Sequence, residues 1–153
     1  MPTLPSLDGL IRFSDPKQCE FSEPMSQLFA SLVKTNADYS IAAGKPVIPR
    51  AYSAAFGKPI SKMYGNMLSV SLPVRGTWKG LRVVSMATNA VAESDDGGVT
   101  IGFAATKQSV VAKLNEAGMA LPVSGRRRAD ENAPMEWIIN VEADGHLTYL
   151  GCS

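Results

Sequence analysis

The sequence predicts an α+β fold: an antiparallel or mixed sheet of about five to six strands with two helices packed on one face. Three observations predict it. Two segments carry apolar residues at helical spacing, Met25, Leu28, Phe29, Leu32 and Val33 in one and Val110, Val111, Leu114 and Ala117 in the other. Two others alternate apolar with polar residues: Leu68, Val70 and Leu72 around Ser69 and Ser71, and Ile139 and Val141 around Asn140 and Glu142. The strand candidates are joined by turn dipeptides, Asp96-Gly97 and Asp144-Gly145, which favour hairpins over crossover connections. A chain of 153 residues is expected to form one domain, residues 1–153, and can bury about two-thirds of its unfolded surface.

Taken in order, residues 1–20 read as an extended entry, with a short strand at Leu10–Phe13 and a turn at Asp15-Pro16. Ser22 is a good N-cap for the first helix. Glu23 and Pro24 suit its first turn, where a carboxylate complements the dipole and proline forfeits no hydrogen bond. The helix is expected to stop near Lys34–Asn36. Residues 40–64 contain Pro46, Pro49 and Pro59, which exclude a long helix or a central strand. Gly44-Lys45-Pro46 and Gly57-Lys58-Pro59 each read as a turn into an extended segment.

From Asn66 onward the pattern is β. Pro73 is expected to end the first strand or put it at an edge. Residues 75–80 form a turn, 81–92 a long strand, 93–98 a hairpin tip, and Val99, Ile101 and Phe103 the partner strand. A second helix runs from an N-cap at Thr106 to Ala117, with Gly118 as its C-terminal glycine. Residues 122–134, including Arg126-Arg127-Arg128, read as a mobile polar loop. The last hairpin is 136–143 and 146–152. The buried sheet face is expected to hold Trp78, Val83, Ile101, Phe103, Trp137, Ile139 and Leu147.

The charge pattern is the main functional signal. Between Asp38 and Glu93 there is no carboxylate, while Lys45, Arg50, Lys58, Lys62, Arg75, Lys79 and Arg82 fall inside that stretch. Both flanks are net acidic. The seven cations therefore form a candidate binding segment, about residues 45–82, for an acidic protein or other anionic partner. The competing reading is a set of ordinary surface cations paired with acids from the flanks. Tyr52, Phe56 and Tyr64 interleave with the cations, which suits single-stranded nucleic acid, but a sequence pI of 7.7 is low for such a domain and makes nucleic acid the weaker partner.

Catalytic signals are sparse. His146 is the single histidine. Beside Asp144 it could serve an enzyme site as an oriented base, but it reads more simply as an exposed residue opening an edge strand. No phosphate-loop, dinucleotide or nucleophile-elbow motif occurs, and no metal or cofactor is expected. Glu93, Asp95 and Asp96 read as a solvated hairpin tip, not a calcium loop. The leading expectation is therefore a non-enzymatic binding protein.

Cys19 and Cys152 are the two cysteines, one near each end. A bridge between them would close almost the whole chain into a loop, for about 4–5 kcal/mol in the chain-entropy model. Such a bridge suits an oxidising compartment, so a periplasmic or secreted mature chain is expected, with Met1 not necessarily native. No apolar run approaches the ~20 residues of a spanning helix.

Overall fold

The computed structural model describes residues 3–92, 97–129 and 137–153. The architecture is mostly β, which overturns the α+β expectation. Among the described residues strand accounts for 46% against 20% helical, in one seven-stranded antiparallel sheet and two two-stranded sheets, with two helices of seven residues or more. The strands are β1 (Phe13–Asp15), β2 (Glu20–Phe21), β3 (Val33–Thr35), β4 (Ile41–Ala43), β5 (Ile60–Tyr64), β6 (Met67–Trp78), β7 (Leu81–Val91), β8 (Gly97–Phe103), β9 (Arg126–Arg128), β10 (Ile138–Asp144) and β11 (Leu147–Cys152). The helices are α1 (Glu23–Ser31) and α2 (Lys107–Glu116). The main sheet runs β5-β6-β7-β8-β11-β10-β9, and β1-β2 and β3-β4 are separate ribbons.

Short strands account for the change of class. Residues 33–43, expected as a helix end and a loop, pair as β3 and β4. The apolar face of α1 therefore stops at Leu32, and Val33 begins a strand. Arg126–Arg128 is not a loop; it pairs with β10 as an edge strand. Nor does Pro73 end β6. The strand continues to Trp78 through a register shift between Pro73 and Gly76, where the ladder is already irregular and the missing N–H is tolerated. The turn expected over residues 75–80 contracts to Lys79 and Gly80, both at positive φ.

The helices otherwise match their sequence signals. Ser22 and Thr106 occupy the N-caps, and the Thr106 hydroxyl accepts from the Ser109 amide at 3.1 Å. Gly118 follows α2 at a φ of 99°, the left-handed geometry expected of a C-terminal glycine. The short entry strand is β1, three residues beyond the Leu10 expected to open it. The hairpin tip at 93–96, with its carboxylates, lies outside the described residues.

One core fills the inner face of the main sheet. Met25, Leu28 and Phe29 of α1, Val110 and Leu114 of α2, and Leu7, Leu10 and Ile11 of the entry segment pack with Leu68, Val70, Leu72, Trp78, Val83, Met86, Ile101, Phe103, Ile139, Val141 and Leu150. Trp78 is 2% exposed, and its indole N–H donates to the Ile11 carbonyl at 2.9 Å. Two residues expected in this core are not buried. Trp137 is 37% exposed, and Leu147 lies opposite Asp144 on the other side of the sheet from buried Thr148.

Cys19 and Cys152 form a disulfide with their Cα atoms 6.5 Å apart, and both are buried. The bridge ties the turn before β2 to the inner face of β11. No helix among the described residues is long and apolar enough to cross a membrane.

Candidate functional site

The seven-stranded sheet has a second face, and neither helix covers it. Strand alternation assigns its residues. In β6 the even positions from Leu68 to Trp78 are buried and the odd positions point outward. Cross-strand partners share a face, so the register extends this outer surface across the sheet. One row reads Ile60, Ser71, Ala87, Thr100, Gly151, Asn140 and Arg126. The next reads Lys62, Ser69, Asn89 and Gly98, then Ser153 beside Ile138, and finally Arg128. A third runs Pro73, Ser85, Gly102, Tyr149 and Glu142.

The middle of this face is uncharged and mostly small, with the Tyr149 ring as the large side chain in these rows. Gly102 leaves room on this face for the Ser85 hydroxyl and the Tyr149 ring, which a Cβ there would push aside. The result is a shallow trough. A depression of about 470 Å³ opens between Met67, Asn89, Gly98, Thr100 and Gly151. Another, of about 560 Å³, lies at the β9 border against Arg126, Arg128, Ile138 and Asn140.

Cations border the trough on three sides. Lys62 stands on β5 at one edge and Arg126 and Arg128 on β9 at the other. Arg75 and Arg82 point outward near the β6–β7 turn, Arg82 directly opposite Thr77. Lys62 and Arg128 end the same row, six strand spacings apart, or about 29 Å at the usual separation. Glu142 and Asp144 are the side-chain carboxylates on this face among the described residues, both toward the β10–β11 turn. Lys62 is further held by the Tyr64 ring, whose centroid is 5.0 Å from its Nζ.

The remaining predicted binding residues lie elsewhere. Lys79 leans over the inward-facing Trp78 ring at 5.7 Å, and its amide donates to the Asp8 carboxylate at 2.7 Å. Lys45 and Arg50 are exposed in the segment after β4, off the main sheet. Lys58 is exposed just before β5. All seven predicted cations are exposed, and among the described residues none lies within ion-pair distance of a carboxylate; the ion pair found there is Lys113–Glu116 at 3.3 Å. Pairing with acids from the flanks does not account for them within that set.

The sequence allows the Arg126–Arg128 run to extend the basic patch but does not show which of the three arginines face this surface. A run of three identical residues carries no alternation, so only pairing with β10 separates the outward pair from Arg127. That middle side chain turns inward opposite Ile139 and donates to the carbonyls of Met119, Arg128, Ala129 and Lys17.

His146 is exposed on the β10–β11 turn, but the strand that follows it, β11, is not an edge strand: it pairs with β8 and β10. Cys152 is consumed by the disulfide and cannot act as a thiol nucleophile. Among the described residues no group of three or more His, Cys, Asp or Glu side chains is arranged to hold a metal. Asp38, on the β3–β4 turn, has its carboxyl held below the usual range by the Ser40 hydroxyl and then the Ser40 amide, a local turn interaction away from the main sheet. No family model matches the chain, and no curated protein or solved structure matches it significantly.

Proposed function

We propose that this chain is a non-enzymatic binding protein that receives an acidic protein partner on the outer face of its main sheet. The observation that supports this reading is the cation-bordered trough: five cations, Lys62, Arg75, Arg82, Arg126 and Arg128, around an uncharged centre of serine, alanine, threonine, asparagine and glycine with the Tyr149 ring. Its span of about 29 Å suits a standard protein interface of about 800 Å² per partner better than a small-molecule pocket. Exposed cations around a flat surface act mainly through long-range attraction, which speeds encounter and selects partners of opposite sign.

The test uses immobilised poly-L-glutamate as a partner-independent acidic probe. The expected result is retention at low salt that falls at least tenfold in the triple variant Lys62→Glu, Arg82→Glu and Arg126→Glu. A Lys45→Glu, Arg50→Glu variant, which alters exposed cations away from the face, should retain most of the binding. Equal losses in both variants would leave only net charge as the cause. Stronger and steeply salt-dependent capture by single-stranded DNA would move the reading to nucleic acid.

A further inference from the structure

Of the two edges of the sheet, β5 and β9, the longer unpaired strand is β5. β5 pairs with β6 on one side and with no described strand on the other. All five of its residues are exposed, including Ile60 at 61%, Met63 at 51% and Tyr64 at 52%. Ser61 and Met63 lie opposite Val70 and Leu68 and so face the core side, yet nothing covers them. Further along β6 the same edge is closed: the Gly57 amide donates to the Pro73 carbonyl at 2.8 Å, and Thr77 exchanges backbone hydrogen bonds with Pro5 and Leu7. Along this edge the bare backbone is thus confined to Ile60–Tyr64.

Exposed edges invite another strand, and natural sheets restrict which strand can add. Here the restriction is a charge. Antiparallel pairing with a second copy centred on Lys62 would set two ammonium groups directly opposite, which is unfavourable. A carboxylate at that cross-strand position is favourable instead. β5, β6 and β7 all lie in the stretch without carboxylates, so these three strands supply no competing acid for Lys62.

We propose that β5 accepts an extended, carboxylate-bearing segment of the protein partner as an added strand, with a Glu or Asp side chain opposite Lys62. Backbone hydrogen bonds along Ile60–Tyr64 give the affinity, and the charge pair sets register and sign. The inference rests on the reading of the partner as an acidic protein and specifies how part of it binds.

The probe is the peptide acetyl-TVTETVT-amide at millimolar concentration, with the full chain followed by hydrogen exchange of individual amides. The expected result is at least tenfold slower exchange at alternate amides of residues 60–64. The same peptide N-methylated at alternate residues should give none, and TVTKTVT far less. In the Lys62→Glu variant the preference between the two peptides should invert. Equal protection by the N-methylated peptide would overturn strand addition, and equal protection by TVTKTVT would overturn the carboxylate requirement. Protection that grows with protein concentration in the absence of peptide would make a second copy the occupant. Retention on poly-L-glutamate without any protection of β5 would sink the edge inference and leave the acidic-partner reading standing; loss of both would end both.

Discussion

Replacing the bridged cysteines together, Cys19→Ala with Cys152→Ala, is expected to lower the unfolding free energy by about 4 kcal/mol. The bridge spans a sequence separation of 133 residues, so it removes more loop entropy from the unfolded chain than any shorter cross-link could. The turn at Cys19 is held by its amide bond to the Pro16 carbonyl independently of the bridge, so the backbone there should keep its conformation in the variant. Without the bridge, β1 and β2 remain attached through the Phe13–Phe21 stack and the contacts of Phe21 with Phe29. The loss should thus appear as a shifted midpoint rather than a missing fold. For a chain of this length about 4 kcal/mol corresponds to a melting temperature lower by about 10–15 °C. Urea denaturation of the oxidised protein and the double variant measures it. The denaturant slope should rise, because the unbridged chain exposes more surface. A loss below about 1 kcal/mol would mean that packing alone fixes the entry segment and that the loop-entropy account fails here.

How much of this was legible in the sequence depends on element length and on how many faces an element buries. α1 and α2 could be read because each turns one apolar stripe to the core and carries a capping residue. β6, β10 and β11 could be read because one face is buried and the other is not, which writes alternation into the chain. β5 buries neither face, so Ile60, Ser61, Lys62, Met63 and Tyr64 carry no period. β3, β4 and β9 are three residues each, too short for a period of two to register. Those short strands turn an expected α+β protein into a mostly β one. The candidate site divides in the same way. The carboxylate-free stretch is visible in the sequence, but which cations share a surface depends on register. Lys62, Arg75 and Arg82 converge with Arg126 and Arg128 from well outside the stretch, whereas Lys79, four residues after Arg75, turns toward Trp78. The bridge between Cys19 and Cys152 was anticipated from count and position alone, because its signal needed no register.

Arg127→Met should be the other costly substitution, at about 3 kcal/mol. Its guanidinium donates to the Met119 carbonyl from Nε at 3.2 Å and from Nη2 at 2.7 Å, and to the Arg128 and Ala129 carbonyls at 2.8 and 3.2 Å. A further bond reaches the Lys17 carbonyl, so one side chain joins the loop after α2, strand β9 and the turn before β2. Methionine keeps most of the apolar stem but leaves these acceptors without their donor, including that of fully buried Met119. Lysine should recover less than half of the loss, since an ammonium cannot span carbonyls that a planar fork reaches together. Arg126→Ala and Arg128→Ala, which remove outward side chains, should each stay within about 0.5 kcal/mol. Urea denaturation of the single variants, run beside retention on poly-L-glutamate, separates the two roles by a crossover. The outer pair should lose retention and keep stability, while Arg127→Met should lose stability and, below its transition, keep retention. Equal effects of all three substitutions on either measurement would contradict the alternation of β9, and with it the inclusion of Arg126 and Arg128 in the binding face.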